Sequence, residues 1–349
     1  MPDTQNLRIK ATHALSPPAV LEEELPLPES AAQLVLRTRA EAQRVLAGED
    51  PRLLVIVGPC SVHDPVACLE YAERLATLRS RVDDALLVVM RVYFEKPRST
   101  VGWKGLINDP DLDNSFRINK GLRLARRFLL DVLATGLPAA TEFLDTTLGQ
   151  YFADLITIGA IGARTAESQI HRELASGLSM PVGFKNRTDG DVAVARDAIV
   201  AAGHCHSFPT LTREGMPAIL ETTGNRDCFL ILRGGSDGPN FSAEHVAAAN
   251  RLLQGIEPPP GVVVDCSHGN SRKQHEQQGA VVDAVIAQLA DTQAPRGVML
   301  ESHLQAGNQA LAAPELLAYG QSITDACVGW ETTMSLLERL AAGVRARNG

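Results

Sequence analysis

From residue 53 onward the chain repeats one pattern of hydrophobic and polar positions. A short run of β-branched and aliphatic residues gives way to a polar turn, and then to a segment with apolar residues at helical spacing. The runs over 53–58, 85–92, 138–144, 155–161, 181–186, 228–233, 261–267 and 297–302 read as strands. Amphipathic segments over 65–79, 117–135, 147–154, 166–177, 190–202, 242–254, 278–290 and 325–346 read as helices, each able to make the right-handed return that parallel strands require. This alternation predicts an α/β fold, a closed (β/α)8 TIM barrel. An open doubly wound sheet is the alternative. It normally carries a glycine fingerprint after its first strand, whereas the turn here is Gly58-Pro59-Cys60-Ser61.

Two pieces stand outside the repeat. Residues 1–50 hold Pro17, Pro18, Pro26 and Pro28 and then a helical stretch over 30–46, so they are predicted to be an N-terminal extension with an oligomeric or regulatory role. Residues 51–349 form the predicted catalytic barrel. Within it, 204–223 reads as a β-hairpin inserted between the fifth and sixth units, with 208–211 and 218–221 flanking Thr212-Arg213-Glu214-Gly215.

Composition narrows the classes. With 349 residues, 45% hydrophobic and 21% charged, the chain has the core-forming content that disordered and fibrous proteins lack. Its net charge of -8 is the wrong sign for a general grip on nucleic acid or an anionic membrane. The longest apolar runs, 53–57 and 86–90, fall far short of the roughly 20 residues that cross a bilayer. The start, Met1-Pro2-Asp3-Thr4, has neither a basic region nor an apolar signal core, which predicts a cytoplasmic protein. The six cysteines include no Cys-x-x-Cys pair and are predicted to be free thiols.

In a TIM barrel the active site forms where strands end and βα loops begin. Two chemical sets gather there. Arg91, Lys96, Arg98, Arg164, Lys185 and Arg233 come from four strand ends. Packed at one mouth they repel unless anions neutralise them, so they imply a substrate with several negative charges. The plain alternative is that each pairs with a nearby acid. The second set is Cys60, His268 and Glu301, with Asp325 from Ser322-Ile323-Thr324-Asp325. One thiolate, one imidazole and two carboxylates suit a divalent transition metal with open positions. Strand alternation puts His268 and Cys266 on one side of their strand, and Asp265 and Ser267 on the other. Each residue also has an ordinary reading: Cys60 as core filler, His268 as a turn donor, Glu301 as an ion-pair partner, Asp325 as a helix cap. Two other signals are set aside. His275-Glu276-Gln277-Gln278-Gly279 lacks the second histidine of a zincin, and His204-Cys205-His206 places neighbouring side chains on opposite sides of an extended chain.

Longer strings carry a resemblance. Met90-Arg91-Val92-Tyr93-Phe94-Glu95-Lys96-Pro97-Arg98, Gly159-Ala160-Ile161-Gly162-Ala163-Arg164-Thr165, Pro181-Val182-Gly183-Phe184-Lys185-Asn186, Leu232-Arg233-Gly234-Gly235 and Ser267-His268-Gly269-Asn270-Ser271 occur in order along nearly the whole chain. Together they resemble the class I 3-deoxy-D-arabino-heptulosonate 7-phosphate (DAHP) synthases, the first enzymes of the shikimate pathway. The resemblance implies condensation of phosphoenolpyruvate with D-erythrose 4-phosphate and water to give DAHP and phosphate. It implies one divalent metal (Mn, Fe, Co or similar) on Cys60, His268, Glu301 and Asp325, and it makes Lys96, Cys60 and His268 the catalytic group. It assigns Arg91, Lys96, Glu142, Ala163, Arg164, Lys185 and Arg233 to phosphoenolpyruvate, with Glu142 a candidate for positioning the water, and Lys96, Pro97, Arg98 and Ser99 to erythrose 4-phosphate.

The same resemblance implies a homodimer or homotetramer inhibited by an aromatic amino acid, with Gln150, Ser179, Phe208 and Thr210 on the effector surface. An octulosonate synthase acting on a different aldose phosphate is the nearest alternative. The long extension, the Lys96-Pro97-Arg98-Ser99 string and the hairpin favour erythrose 4-phosphate. Two positions depart from the family pattern: Arg187 stands where Gly is usual, predicted to point to solvent, and Ile158 replaces a Trp.

Overall fold

The aliphatic runs are apolar on both faces, as strands covered on one side by helices and on the other by a filled barrel must be. The computed structural model describes residues 4–348. Met1, Pro2 and Asp3, on which part of the N-terminal reading rests, lie outside the described residues, as does Gly349. The strands are β1 (Leu53–Gly58), β2 (Leu86–Arg91), β3 (Ala139–Glu142), β4 (Ile158–Ile161), β5 (Val182–Lys185), β6 (Ser207–Leu211), β7 (Pro217–Glu221), β8 (Phe229–Leu232), β9 (Val262–Asp265) and β10 (Gly297–Glu301). All but β6 and β7 close into one parallel barrel in the order β1-β10-β9-β8-β5-β4-β3-β2. The fold is therefore the predicted TIM barrel. β6 and β7 pair antiparallel, with Phe208 opposite Leu220 and Thr210 opposite Ala218.

The helices are α1 (Pro18–Glu24), α2 (Glu29–Ala47), α3 (Pro65–Arg79), α4 (Ile118–Ala134), α5 (Gln169–Gly177), α6 (Ala193–Ala202), α7 (Ala243–Leu252), α8 (Gln278–Gln288) and α9 (Trp330–Asn348). Asp64 caps α3 by accepting from the Val66 and Ala67 amides, and Pro65 opens it where no donor is lost. The 147–154 segment differs from the helix expected from the sequence: it forms two 3-10 turns, Leu148–Tyr151 and Ala153–Leu155. Phe152 leaves the helical path there to stack on Phe143 at 5.9 Å between ring centroids. Arg39 of α2 takes the carbonyls of Ala153 and Ile156. α1 lies in the proline-rich stretch, where the sequence pattern predicts no helix; Pro18 sits at its first position, where a missing N–H is harmless. α9 begins later than the expected 325, because Cys327 and Val328 first bridge to Gly307 and Ser302.

Two hydrophobic shells divide the barrel residues by parity. Leu53, Val55, Val57, Val88 and Val264 pack outward beneath the helices. Leu54, Ile56, Leu87, Val89, Ala140, Ala160, Ile231, Val263 and Met299 fill the interior. Ala42, Val45 and Leu46 of α2 join this inner group, so the extension supplies part of the packing at the lower end of the barrel. Among the described residues no helix is long and apolar enough to cross a membrane.

Candidate active site and metal centre

The inward parity that fills the barrel also builds the site. Two residues beyond an interior apolar position, a strand's next inward side chain lies one layer nearer the C-terminal mouth. Arg91 follows Val89 in this way, Glu142 follows Ala140, Gly162 follows Ala160, Arg233 follows Ile231, Asp265 follows Val263 and Glu301 follows Met299. Lys185 likewise follows Gly183, and Cys60 follows Gly58. A hydrophobic layer is thus covered by a charged one.

Above this layer opens a cavity of about 350 Å³ lined by Arg91, Lys96, Pro97, Arg98, Glu142, Gly162, Ala163, Arg164, Lys185, Arg233, His268 and Asp325, among others. All six cations of the first set reach it. Thr188, Ser236 and Lys273 line it as well, and the sequence pattern singles out none of them. Lys273 lies eight residues past β9 in a turn with φ 60°, beyond the window in which strand ends announce themselves.

Pairing separates the cations. Arg91 and Lys185 meet buried acids, Glu301 at 3.0 Å and Asp265 at 2.8 Å. Lys96, Arg98, Arg164 and Arg233 form no ion pair with a carboxylate among the described residues. Their positive charge faces the cavity. Arg98 donates to the Trp103 carbonyl, which braces the loop, and Arg233 donates to the Gly234 carbonyl. Burial lowers the Arg233 pKa from its ordinary value, and the Asp265 carboxylate works against it. Arg187 points away: it pairs with Glu167 at 2.8 Å and with Asp189, half exposed.

Cys60, Glu301 and Asp325 bring one ligand-type atom each within 4.8 Å of one another. His268 is not one of these three, but it stands beside them, its Nε2 3.7 Å from Glu301 Oε1. Sulfur, nitrogen and two carboxylates form a donor set that fits a divalent transition metal. Burial and the nearby Glu301 push the Cys60 thiol up to about 11, and Lys96 works against them from 3.0 Å. Burial raises the Asp325 carboxyl, but Lys96 and His268 outweigh it and hold it below its usual value.

The strand-parity reading of His268 is corrected. β9 ends at Asp265, and His268 lies in a turn with φ 55°, so alternation no longer governs it. Cys266 packs outward in the core, whereas His268 swings inward beside Asp265, with Nδ1 3.0 Å from the carboxylate. Asp265 is an interior residue absent from both chemical sets expected from the sequence. Its parity with Val263 was the available signal. Burial raises its carboxyl, yet Lys185 and His268 hold it well below the usual range.

A glycine makes room for a carboxylate at one point of the wall. A Cβ on Gly162 would lie 2.2 Å from Glu142 Oε1, so a side chain here would push this carboxylate out of its place. Gln150 lies in the first 3-10 turn, Ser179 on the exposed connection after α5, and Phe208 and Thr210 half-buried on β6. The extension approaches the same region. The Ala19 amide donates to the Arg213 carbonyl, and Tyr151 Oη donates to the Ser16 carbonyl at 2.6 Å.

A mouth of unpaired cations beside a cluster of metal-type donors defines a TIM-barrel enzyme for small, multiply anionic substrates. Residues 30–338 match the sequence profile of the DAHP synthetase I family. The chain belongs to that family and is an enzyme of DAHP formation. It is 57% identical over 345 residues, 99% of this chain and 98% of the relative, to the Phe-sensitive phospho-2-dehydro-3-deoxyheptonate aldolase of Escherichia coli strain K12. It is 52% identical over 348 residues to the Trp-sensitive enzyme of Enterobacter agglomerans, covering 99% of this chain and all 100% of that relative. The solved phospho-2-dehydro-3-deoxyheptonate aldolase of Francisella tularensis SCHU S4 superimposes with a TM-score of 0.96 at 51% identity, covering 98% of this chain and 100% of that one.

Proposed function

We propose that the cavity binds phosphoenolpyruvate and erythrose 4-phosphate side by side and joins them, with the residues acting as follows. Arg91, Lys96, Arg164, Lys185 and Arg233, with the Ala163 amide, hold the carboxylate and phosphate of phosphoenolpyruvate. Lys96, Pro97, Arg98 and Ser99, on the loop after β2, receive the sugar phosphate. Cys60, His268, Glu301 and Asp325 would hold a divalent metal, which when bound would supply Lewis-acid polarisation of the aldehyde. C3 of phosphoenolpyruvate forms the new bond to the aldehyde carbon, and Lys96 delivers the proton that the developing alkoxide takes up. Water, oriented by Glu142, adds at C2; one of its protons restores Lys96 and the other departs with the phosphate as the C2–O bond breaks to leave the ketone. The observation that carries this reading is the set of cations in the cavity left without acidic partners, in a chain whose net charge is -8.

Inhibition by an aromatic amino acid is part of the same reading. Gln150, Ser179, Phe208 and Thr210 line the proposed effector surface, and the extension or a neighbouring copy in a dimer or tetramer closes over it. Two relatives of more than 50% identity differ in their named effector, Phe for one and Trp for the other. Overall similarity therefore does not choose between them.

The test is phosphate release from phosphoenolpyruvate with erythrose 4-phosphate, with arabinose 5-phosphate, or with neither, each with and without chelator. Release that needs erythrose 4-phosphate and is stopped by chelator supports the reading; release driven by arabinose 5-phosphate overturns it. Titration with each aromatic amino acid then tests regulation. A truncation for this purpose must end before Ser16, because Ser16 bonds Asn119 and Tyr151 and the helices that follow carry core residues such as Leu21, Val35 and Val45. Loss of inhibition with activity retained on deleting residues 1–15 supports the role of the extension, and unchanged inhibition counts against it.

A further inference from the structure

The proposed roles leave one fully buried carboxylate in the charged layer unused. Asp265 is 0% exposed and does not line the cavity, so it acts through other groups. Its Oδ2 accepts from Lys185 Nζ at 2.8 Å and faces His268 Nδ1 at 3.0 Å. Its Oδ1 accepts from the Ser267 amide at 3.0 Å and from Ser267 Oγ at 2.6 Å. One oxygen thus touches a group that reaches the cavity as a cation and a group that belongs to the metal-type cluster.

The contact with His268 has a chemical consequence. Nδ1 faces Asp265 Oδ2 at 3.0 Å and Ser267 Oγ at 2.7 Å, and because that hydroxyl gives its own proton to Asp265 Oδ1, both accept at Nδ1; the proton stays on that nitrogen and the Nε2 lone pair is left free. Nε2 is the atom that lies 3.7 Å from Glu301 Oε1. The turn at His268 has φ 55°, outside ordinary strand geometry, and the Asp265 contact ties the ring down there. The contact with Lys185 holds an ammonium that arrives from two strands away, since β8 lies between β5 and β9 in the barrel.

We infer that Asp265 is a positioning residue that couples the metal centre to the phosphoenolpyruvate cation Lys185, so that filling either site strengthens the other. The inference rests on the proposed metal and substrate assignments. A metal held through His268 would make the Nδ1–H a stronger donor to Asp265 Oδ2, which loosens that oxygen's hold on Lys185 and frees the ammonium charge for the anion of phosphoenolpyruvate. Because the coupling is a free energy between two binding events, it acts equally in both directions. A purely structural Asp265 would affect only folding stability.

The test uses metal-free protein titrated with Co²⁺, read by thiolate-to-cobalt absorbance, with and without phosphoenolpyruvate. In the wild-type protein phosphoenolpyruvate is expected to tighten Co²⁺ binding. Asp265→Asn is expected to weaken Co²⁺ binding by about 10–100-fold and to abolish the effect of phosphoenolpyruvate. Because that variant leaves an ammonium buried without its acid, Asp265→Asn/Lys185→Met serves as a second variant, and its Co²⁺ affinity is expected to fall equally. A folded variant of either kind with wild-type Co²⁺ affinity overturns the inference. Cys60→Ser separates the two levels. If it loses Co²⁺ while the Asp265 variants keep it, only the coupling fails; if it too binds Co²⁺ as the wild type does, the proposed metal centre fails.

Discussion

Lys96 Nζ lies 3.0 Å from Cys60 Sγ and 3.1 Å from the Cys60 carbonyl oxygen. The residue proposed to serve both substrates therefore touches the thiol proposed to hold the metal. A thiol pushed up to about 11 carries its proton at neutral pH, and metal binding must displace it. Metal affinity is thus expected to rise with pH, by about tenfold per unit below the thiol pKa. Competition with a chelator at several pH values measures it. A flat profile contradicts thiolate ligation.

Gly162 leaves the room that Glu142 occupies in the cavity wall. The methyl group of Gly162→Ala must displace Glu142 Oε1, which it would meet at 2.2 Å. Overpacking of this kind costs about 1–3 kcal/mol. Misplacement of the carboxylate proposed to orient the water is expected to lower kcat/KM by about 10²-fold, measured by steady-state kinetics beside a urea melt. Wild-type kinetics would remove Glu142 from the mechanism.

Behind the metal-type donors, His63 and His303 lie edge to face with ring centroids 6.1 Å apart. Burial first, and then His63, lowers His303 to about 3. The unfolded chain takes up a proton near pH 6.5 that the folded one refuses, so stability present above that pH is lost as pH falls toward 3. For His303 the expected loss between pH 7 and pH 5 is about 2 kcal/mol. Urea unfolding at the two pH values should show it, and His303→Gln should reduce the difference. An equal difference in the variant would contradict the assignment.

The barrel was legible because aliphatic runs such as 53–57 leave no other way to satisfy two apolar faces. Its charged layer was legible too, since Arg91, Lys185, Arg233 and Glu301 each lie at or just past the end of a strand. Asp265 escapes a sequence pattern that carries β9 on through His268. A positive-φ turn breaks alternation, and a local sequence does not display φ. The 147–154 segment has the composition of a helix, but the aromatic stacking of Phe152 on Phe143 decides its path, and that contact is tertiary. Lys273 reaches the cavity from a turn well beyond its strand, where no local pattern marks it.

The central claim, that metal-assisted condensation takes place in this cavity, is tested most directly by Cys60→Ser. Phosphate release from phosphoenolpyruvate and erythrose 4-phosphate would be measured with added Mn²⁺ and after metal stripping, with unfolding followed in parallel. The account predicts cooperative unfolding like that of the wild-type protein and no metal-dependent turnover. Full activity of the metal-stripped Cys60→Ser protein would contradict it.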